Sequence, residues 1–237
     1  MDGTMEKSKI QTLYEGCREV FSQQDLPNFQ QIQGLKNILG VFEAKDVGID
    51  EFRISCGSPS ASPNENKGMI CGQDVSEITY IHIHECRHFS IGVFCFPAGG
   101  TLPFHDHPGM TVLSKLLYGS VYVKAYDWVL KVDSSSPSKT CCVRDEILKA
   151  PCETSVLYPT SGGNIHSFTA LTPCAILDVL TPPYSDELGR PSTYFSELPI
   201  SSLPGYVVLE ERDLPEDLVV SGAPYLGPQI FAGRDFC

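Results

Sequence analysis

None of the ten cysteines in this 237-residue sequence forms a C-x-x-C pair, which argues against a structural zinc ribbon. The N-terminal stretch MDGTMEKSKIQTLYEGC lacks an apolar run of signal-peptide length, and no segment is apolar for long enough to span a bilayer. The thiols are therefore expected to stay reduced. Positive charge is scarce, with 17 Lys and Arg against 29 Asp and Glu for a net charge of -12. That balance argues against nucleic acid and anionic membrane as main partners. No basic cluster resembles a nuclear signal, but a chain of this size can diffuse into the nucleus, so cytoplasm and nucleus are the expected compartments. There is no internal repeat, and nothing demands more than a monomer.

Helical patterning is confined to the first part of the chain. In MEKSKIQTLYEGCREVF, the residues Ile10, Leu13, Tyr14, Cys17, Val20 and Phe21 recur at helical spacing. FQQIQGLKNILG repeats the pattern with Phe29, Ile32, Leu35 and Leu39, and Gly40 is a plausible stop. Residues 1–40 are expected to form a helical segment packed on a larger domain of residues 41–237. The Pro- and Ser-rich Cys56–Gly68 reads as a loop. From Ile78 onward the period is two, in short runs such as FSIGVFCF, MTVLSKLLYGSVYVKAYDWVL and AILDVL. Several short strands without intervening helices indicate an all-β antiparallel sandwich or barrel. Cys86, Cys95 and Cys174 read as small core residues, and Cys141 and Cys142, after the polar DSSSPSKT, as loop residues.

Five of the six histidines fall in two segments, YIHIHECRHF and TLPFHDHPGM. Residues i and i+2 of a strand share a face, so either H-x-H pair is able to bite one metal ion. His82 and His84 alternate with Ile81 and Ile83 and have no flanking turn residue, as surface or cross-strand histidines would. His88 reads as a solvated turn residue. His105 and His107 follow PAGGTLP and precede Pro108 and Gly109, which hold His107 extended and then let the chain bend, as at a barrel mouth. Asp106 must face away from them.

Gly99, His105, His107 and Gly119 resemble the first motif of the cupin superfamily. The position of its usual glutamate falls here on Thr111 or Val112. In YPTSGGNIHSF, the residues Pro159, Gly162 and His166 resemble the second motif. His166 is also the only histidine C-terminal to the pair, which makes it the third ligand. Three imidazoles leave the full charge on a divalent metal, whereas two histidines and a carboxylate neutralise part of it. A neutral triad suits a substrate that brings its own negative charge, such as a thiolate formed when a metal lowers the thiol pKa. The ligand set by itself does not choose between iron, zinc, copper and nickel.

Longer stretches, HDHPGMTVLSKLLYGSVYVKAYDWV, GGNIHSFTA and AILDVLTPPYSDELGR, resemble the thiol dioxygenases, among them the plant cysteine oxidases and their animal relative cysteamine dioxygenase. The resemblance implies a cupin barrel (a double-stranded β-helix, jelly-roll-like, with an N-terminal helical extension) that uses Fe(2+) and O2. It implies oxidation of the N-terminal cysteine of target proteins to cysteine sulfinic acid. In plants such targets are ethylene-response transcription factors, which the oxidation marks for arginylation and degradation, so the family senses oxygen. It also implies catalytic roles for Asp178, on the substrate amine or an ordered water, and Tyr184, on oxygen or substrate. Their structural alternatives are a salt-bridged strand Asp and a Tyr packed on the Pro182–Pro183 turn. Many relatives carry a cysteine where this chain has Ser192, so a Tyr–Cys modification is not expected at that position. A dioxygenase of cysteamine or free cysteine would use the same chemistry, and a non-catalytic metal-binding cupin would use the same ligands. A 2-oxoglutarate oxygenase is excluded because His107 stands where a carboxylate is required.

Overall fold

The computed structural model describes residues 7–23, 26–50, 70–71, 77–129 and 139–232. The loop expected at Cys56–Gly68 lies outside them. Helix α1 (Lys9–Phe21) starts at Ser8, whose hydroxyl accepts from Gln11 N. Helix α2 (Phe29–Gly40) starts with a reciprocal capping box, in which Asn28 and Gln31 each bond the other's backbone amide. Their apolar faces are buried at the expected positions, except that Phe29, at the first turn of α2, is 75% exposed. No helix among the described residues is long and apolar enough to cross a membrane.

Among the described residues fourteen strands follow the helices: β1 (Ile49–Asp50), β2 (Ile70–Cys71), β3 (Ile78–Glu85), β4 (Ser90–Phe96), β5 (Thr101–His105), β6 (Thr111–Tyr118), β7 (Ser120–Trp128), β8 (Lys139–Lys149), β9 (Ser155–Leu157), β10 (Ile165–Ala170), β11 (Cys174–Thr181), β12 (Tyr194–Pro199), β13 (Tyr206–Arg212) and β14 (Val220–Ala223). Six of them close into a barrel in the order β10-β5-β12-β13-β8-β7, and six more form a sheet in the order β14-β3-β4-β11-β6-β9. This is the expected double-stranded β-helix with two N-terminal helices. Cys141 and Cys142 are not on a loop: they are half-buried on β8, paired with Asp127 and Tyr126 of β7. The preceding polar tract does not prevent pairing there, because the cross-strand partner decides.

The period of two sorts the second sheet into a helix side and a barrel side. Ala175, Leu177 and Val179 of β11 join Leu13, Tyr14 and Leu35 of the helices in one buried cluster, with Ile91 and Val93 of β4. Cys174 and Ile176 belong instead to the cluster inside the barrel, with Phe96, Val121 and Val123. Asp178 shares the parity of Ile176, and both line the interior cavity. At the C-terminal end, β14 pairs in parallel with β3, and the chain then returns to α1, where Phe231 N donates to Gln11 Oε1 at 2.8 Å.

Candidate metal centre

Register brings the first two ligands together. His166 of β10 lies opposite His105 of β5 on one side and Ala125 of β7 on the other. His105 is the last residue of β5, so the H-x-H pair does not lie wholly on a strand. Asp106 and His107 follow it outside the strand, and the turn His107–Met110 comes next, with Met110 N donating to His107 O at 3.1 Å. Asp106 faces away, as expected, and its carboxylate accepts from Thr193 N at 2.9 Å. The three imidazole rings have centroids 5.0, 4.8 and 4.7 Å apart, and their candidate ligand atoms all lie within 4.8 Å of one another. All three side chains are buried.

Backbone carbonyls fix the tautomers. His105 Nδ1 is 2.9 Å from Pro103 O, His107 Nδ1 is 3.0 Å from Asn164 O, and His166 Nδ1 is 3.3 Å from Gly163 O. A carbonyl only accepts, so each Nδ1 carries the proton and each Nε2 keeps its lone pair for a metal. Burial holds all three rings neutral. It lowers His105, lowers His107 to about 3 with help from His105, and lowers His166 well below the usual imidazole range. Three neutral, convergent lone pairs fit a divalent transition metal.

One short segment organises two of these ligands. Asp127 Oδ1 accepts from Gly163 N at 2.9 Å and Asn164 N at 3.0 Å. The buried Asn164 side chain accepts from His107 N and donates to His107 O and Tyr158 O. Gly163 has φ +87°, and a Cβ there would sit 2.7 Å from the Ala125 Cβ. Glycine is needed at this position for both its conformation and its closeness to β7.

The rival pair is split by a β-bulge. His82 pairs with Gly92 but His84 pairs with Ile91, so two residues of β3 oppose one of β4. His82 is exposed, whereas His84 turns to the helix side, edge-on to the Tyr14 ring at 4.8 Å. The strict alternation that would put both on one face does not hold.

Around the triad lies a cavity of about 510 Å³. Asp178 lines it, with Oδ1 buried and without a hydrogen-bond partner. Burial pushes its carboxyl up to about 7, against the opposing effect of a hydrogen bond from Ser114. The Tyr184 ring lies 5.6 Å from that of His107, and its hydroxyl donates to Asp106 O at 2.7 Å. Burial raises the Tyr184 hydroxyl strongly, opposed by a hydrogen bond from Ser192. The sequence offered no sign of Tyr80, Glu85 and Tyr194, which also line the cavity. Tyr80 fits because Gly92 leaves room: a Cβ at Gly92 would be 2.4 Å from the Tyr80 hydroxyl. The hydroxyl is raised to about 12 by burial, then by Asp178 and Glu85. Tyr194 enters by register, opposite His105. Among the described lining residues the charged groups are the carboxylates Asp178 and Glu85, with no Lys or Arg.

Comparison with known proteins agrees with this architecture. The profile of the PCO_ADO family matches residues 38–230. Plant cysteine oxidase 1 of Arabidopsis thaliana is 42% identical over 243 residues, which cover 93% of this chain and 80% of that protein. Plant cysteine oxidase 2 of the same plant is 40% identical, with 93% and 83% covered. The 2-aminoethanethiol dioxygenase of Homo sapiens is 29% identical, with 86% and 83% covered.

Proposed function

The chain belongs to the PCO_ADO family and is a thiol dioxygenase of its cysteine oxidase kind; from that premise we propose that His105, His107 and His166 hold ferrous iron and that the substrate is the N-terminal cysteine of a protein. The observation that carries the substrate class is the charge of the cavity wall. Free cysteine would bring a carboxylate into a chamber whose charged lining residues are Asp178 and Glu85. An N-terminal cysteine has that carboxylate replaced by a peptide bond, and it keeps the α-ammonium that carboxylates attract. A volume of about 510 Å³ also exceeds what cysteamine fills and leaves room for following residues.

Bound at the triad, ferrous iron would supply the redox step that joins thiol sulfur to O2. The overall change is R–SH + O2 → R–SO2H. Both oxygen atoms bond to sulfur, which gives up four electrons as the O–O bond is cleaved, so no external reductant is needed. Asp178 is the proposed amine partner: the ammonium supplies the contact its Oδ1 lacks and stabilises the ionised carboxylate. Tyr184 spends its proton on the Asp106 carbonyl, between the two H-x-H ligands, which holds that segment against the chamber that Tyr184 lines. The helical segment 1–40 then serves as the outer support of the catalytic domain 41–237.

On this reading the targets are ethylene-response transcription factors, their oxidation leads to arginylation and degradation, and the enzyme works as a monomer in cytoplasm and nucleus. The test is mass spectrometry of a peptide with a free N-terminal cysteine, incubated with Fe(II)-loaded protein with and without O2. The expected product gains two oxygen atoms only when iron and O2 are both present. Oxidation of cysteamine with the peptide untouched would overturn the substrate class.

A further inference from the structure

Behind the triad lies a second, much smaller cavity of about 40 Å³. It shares Val112, Ser114, His166, Phe168 and Ile176 with the large chamber, so His166 borders both spaces. Its own walls are Leu116, Val121, Val123, Ala125 and Leu157, from β6, β7 and β9. Gly163 also lines it, and the missing Cβ at that position keeps one side open against Ala125. At its far end it shares Arg144, Leu148, Cys152, Glu153, Ser155 and Val156 with a groove of about 390 Å³ beneath Phe29, Ile32 and Lys36 of α2. The three spaces therefore share walls in series, from the groove between α2 and β8–β9 to His166. The substrate chamber instead borders β3, β14 and the Tyr184 turn.

We propose that this small, largely apolar cavity is an access route and holding site for dioxygen, separate from the mouth that admits the peptide. A space of this size admits a diatomic gas but neither a cysteine side chain nor a charged peptide. Apolar cavities in proteins stay dry and take up small nonpolar guests such as xenon. Dioxygen partitions the same way, and a guest here abuts His166 without crossing the carboxylate-lined chamber. Leu148 is the control point, because it is half-buried and borders both the cavity and the outer groove.

The proposal rests on the dioxygenase reading, and the test separates the two. Crystals of metal-free protein are pressurised with xenon, which should appear between Val123, Leu148 and Ile176. Leu148→Trp should abolish that occupancy, and Leu148→Ala should retain it. In the Fe(II)-loaded enzyme, Leu148→Trp should raise the KM for O2 several-fold while leaving the peptide KM and the metal content unchanged; Leu148→Ala should not raise it. An ordered water in place of xenon, or a folded Leu148→Trp protein with an unaltered KM for O2, overturns the route. Xenon in the cavity of a protein that oxidises no thiol would instead refute the dioxygenase reading and leave the cavity's affinity for apolar gas intact.

Discussion

Asp178 sets the sign of one pH response. Its folded pKa, about 7, lies above the ordinary value of roughly 3.9 for an unfolded aspartate. The folded state thus binds the proton more tightly, and stability falls as pH rises from about 4 to about 7, then levels off. Asp178→Asn should raise the Tm at pH 8, with the gain vanishing near pH 4. The same variant should keep its metal and lose turnover, as read by metal analysis and peptide oxidation; unchanged turnover would make Asp178 structural. A second contrast concerns the histidines. His166→Ala should lose metal retention, whereas His82→Ala and His84→Ala should bind metal as the parent does, measured by isothermal titration or metal analysis of dialysed protein. Spacing and flanking turn residues marked His105 and His107 in the sequence, and elimination with the resemblance to the second cupin motif marked His166. Tyr80 left no such mark, because what brings it to the cavity is the missing side chain of Gly92 on another strand.

The turn from Gly162 to Asn164, just before His166, is where a backbone detail becomes a property of the site. Gly163→Ala adds a methyl group to a left-handed residue against Ala125 and displaces the carbonyl that orients His166. A marked loss of metal affinity is expected, with circular dichroism showing the strands intact. Asp127→Ala removes the acceptor of two amides in the same turn and should weaken metal binding more than it lowers Tm. By contrast, Asn28→Ala unmakes only the capping box of α2. It should cost about 1 kcal/mol, seen as a lower denaturation midpoint with unchanged metal binding. Strands β3, β4, β6 and β11 were readable because one face meets the helices and the other the barrel interior, and β7 because Val121 and Val123 of its interior face alternate with polar positions. Strand β8, KTCCVRDEILK, was not, because it is rich in exposed polar and charged residues. The bulge at His82–His84 was equally silent: it arises from pairing with β4, and nothing in IHIHE announces it.

The molecule as a whole places a deep, carboxylate-lined chamber between a closed barrel and a helix-backed sheet. Val220, Ser221 and Gly222 of β14 form part of the chamber wall. A chain ending before Pro215 would leave the β3 edge unpaired and this wall open, while the histidine ring, which is built by β5, β10 and the turns beside them, would stay. Such a truncation should still bind metal and show a raised KM for the N-terminal-cysteine peptide, with a stronger tendency to aggregate. Equal peptide affinity in the truncated chain would show that β14 takes no part in substrate binding.

The late position of β14 also has a temporal consequence. A ribosome releases the ligands His105, His107 and His166 well before the strand that completes the chamber, and Phe231 then fastens that end back onto Gln11 of the first helix. A nascent chain can thus gather its metal-binding groups while its substrate chamber is still unfinished. The wall that Val220, Ser221 and Gly222 supply is made after the three histidines, so in the order of synthesis the histidine cluster precedes the finished chamber.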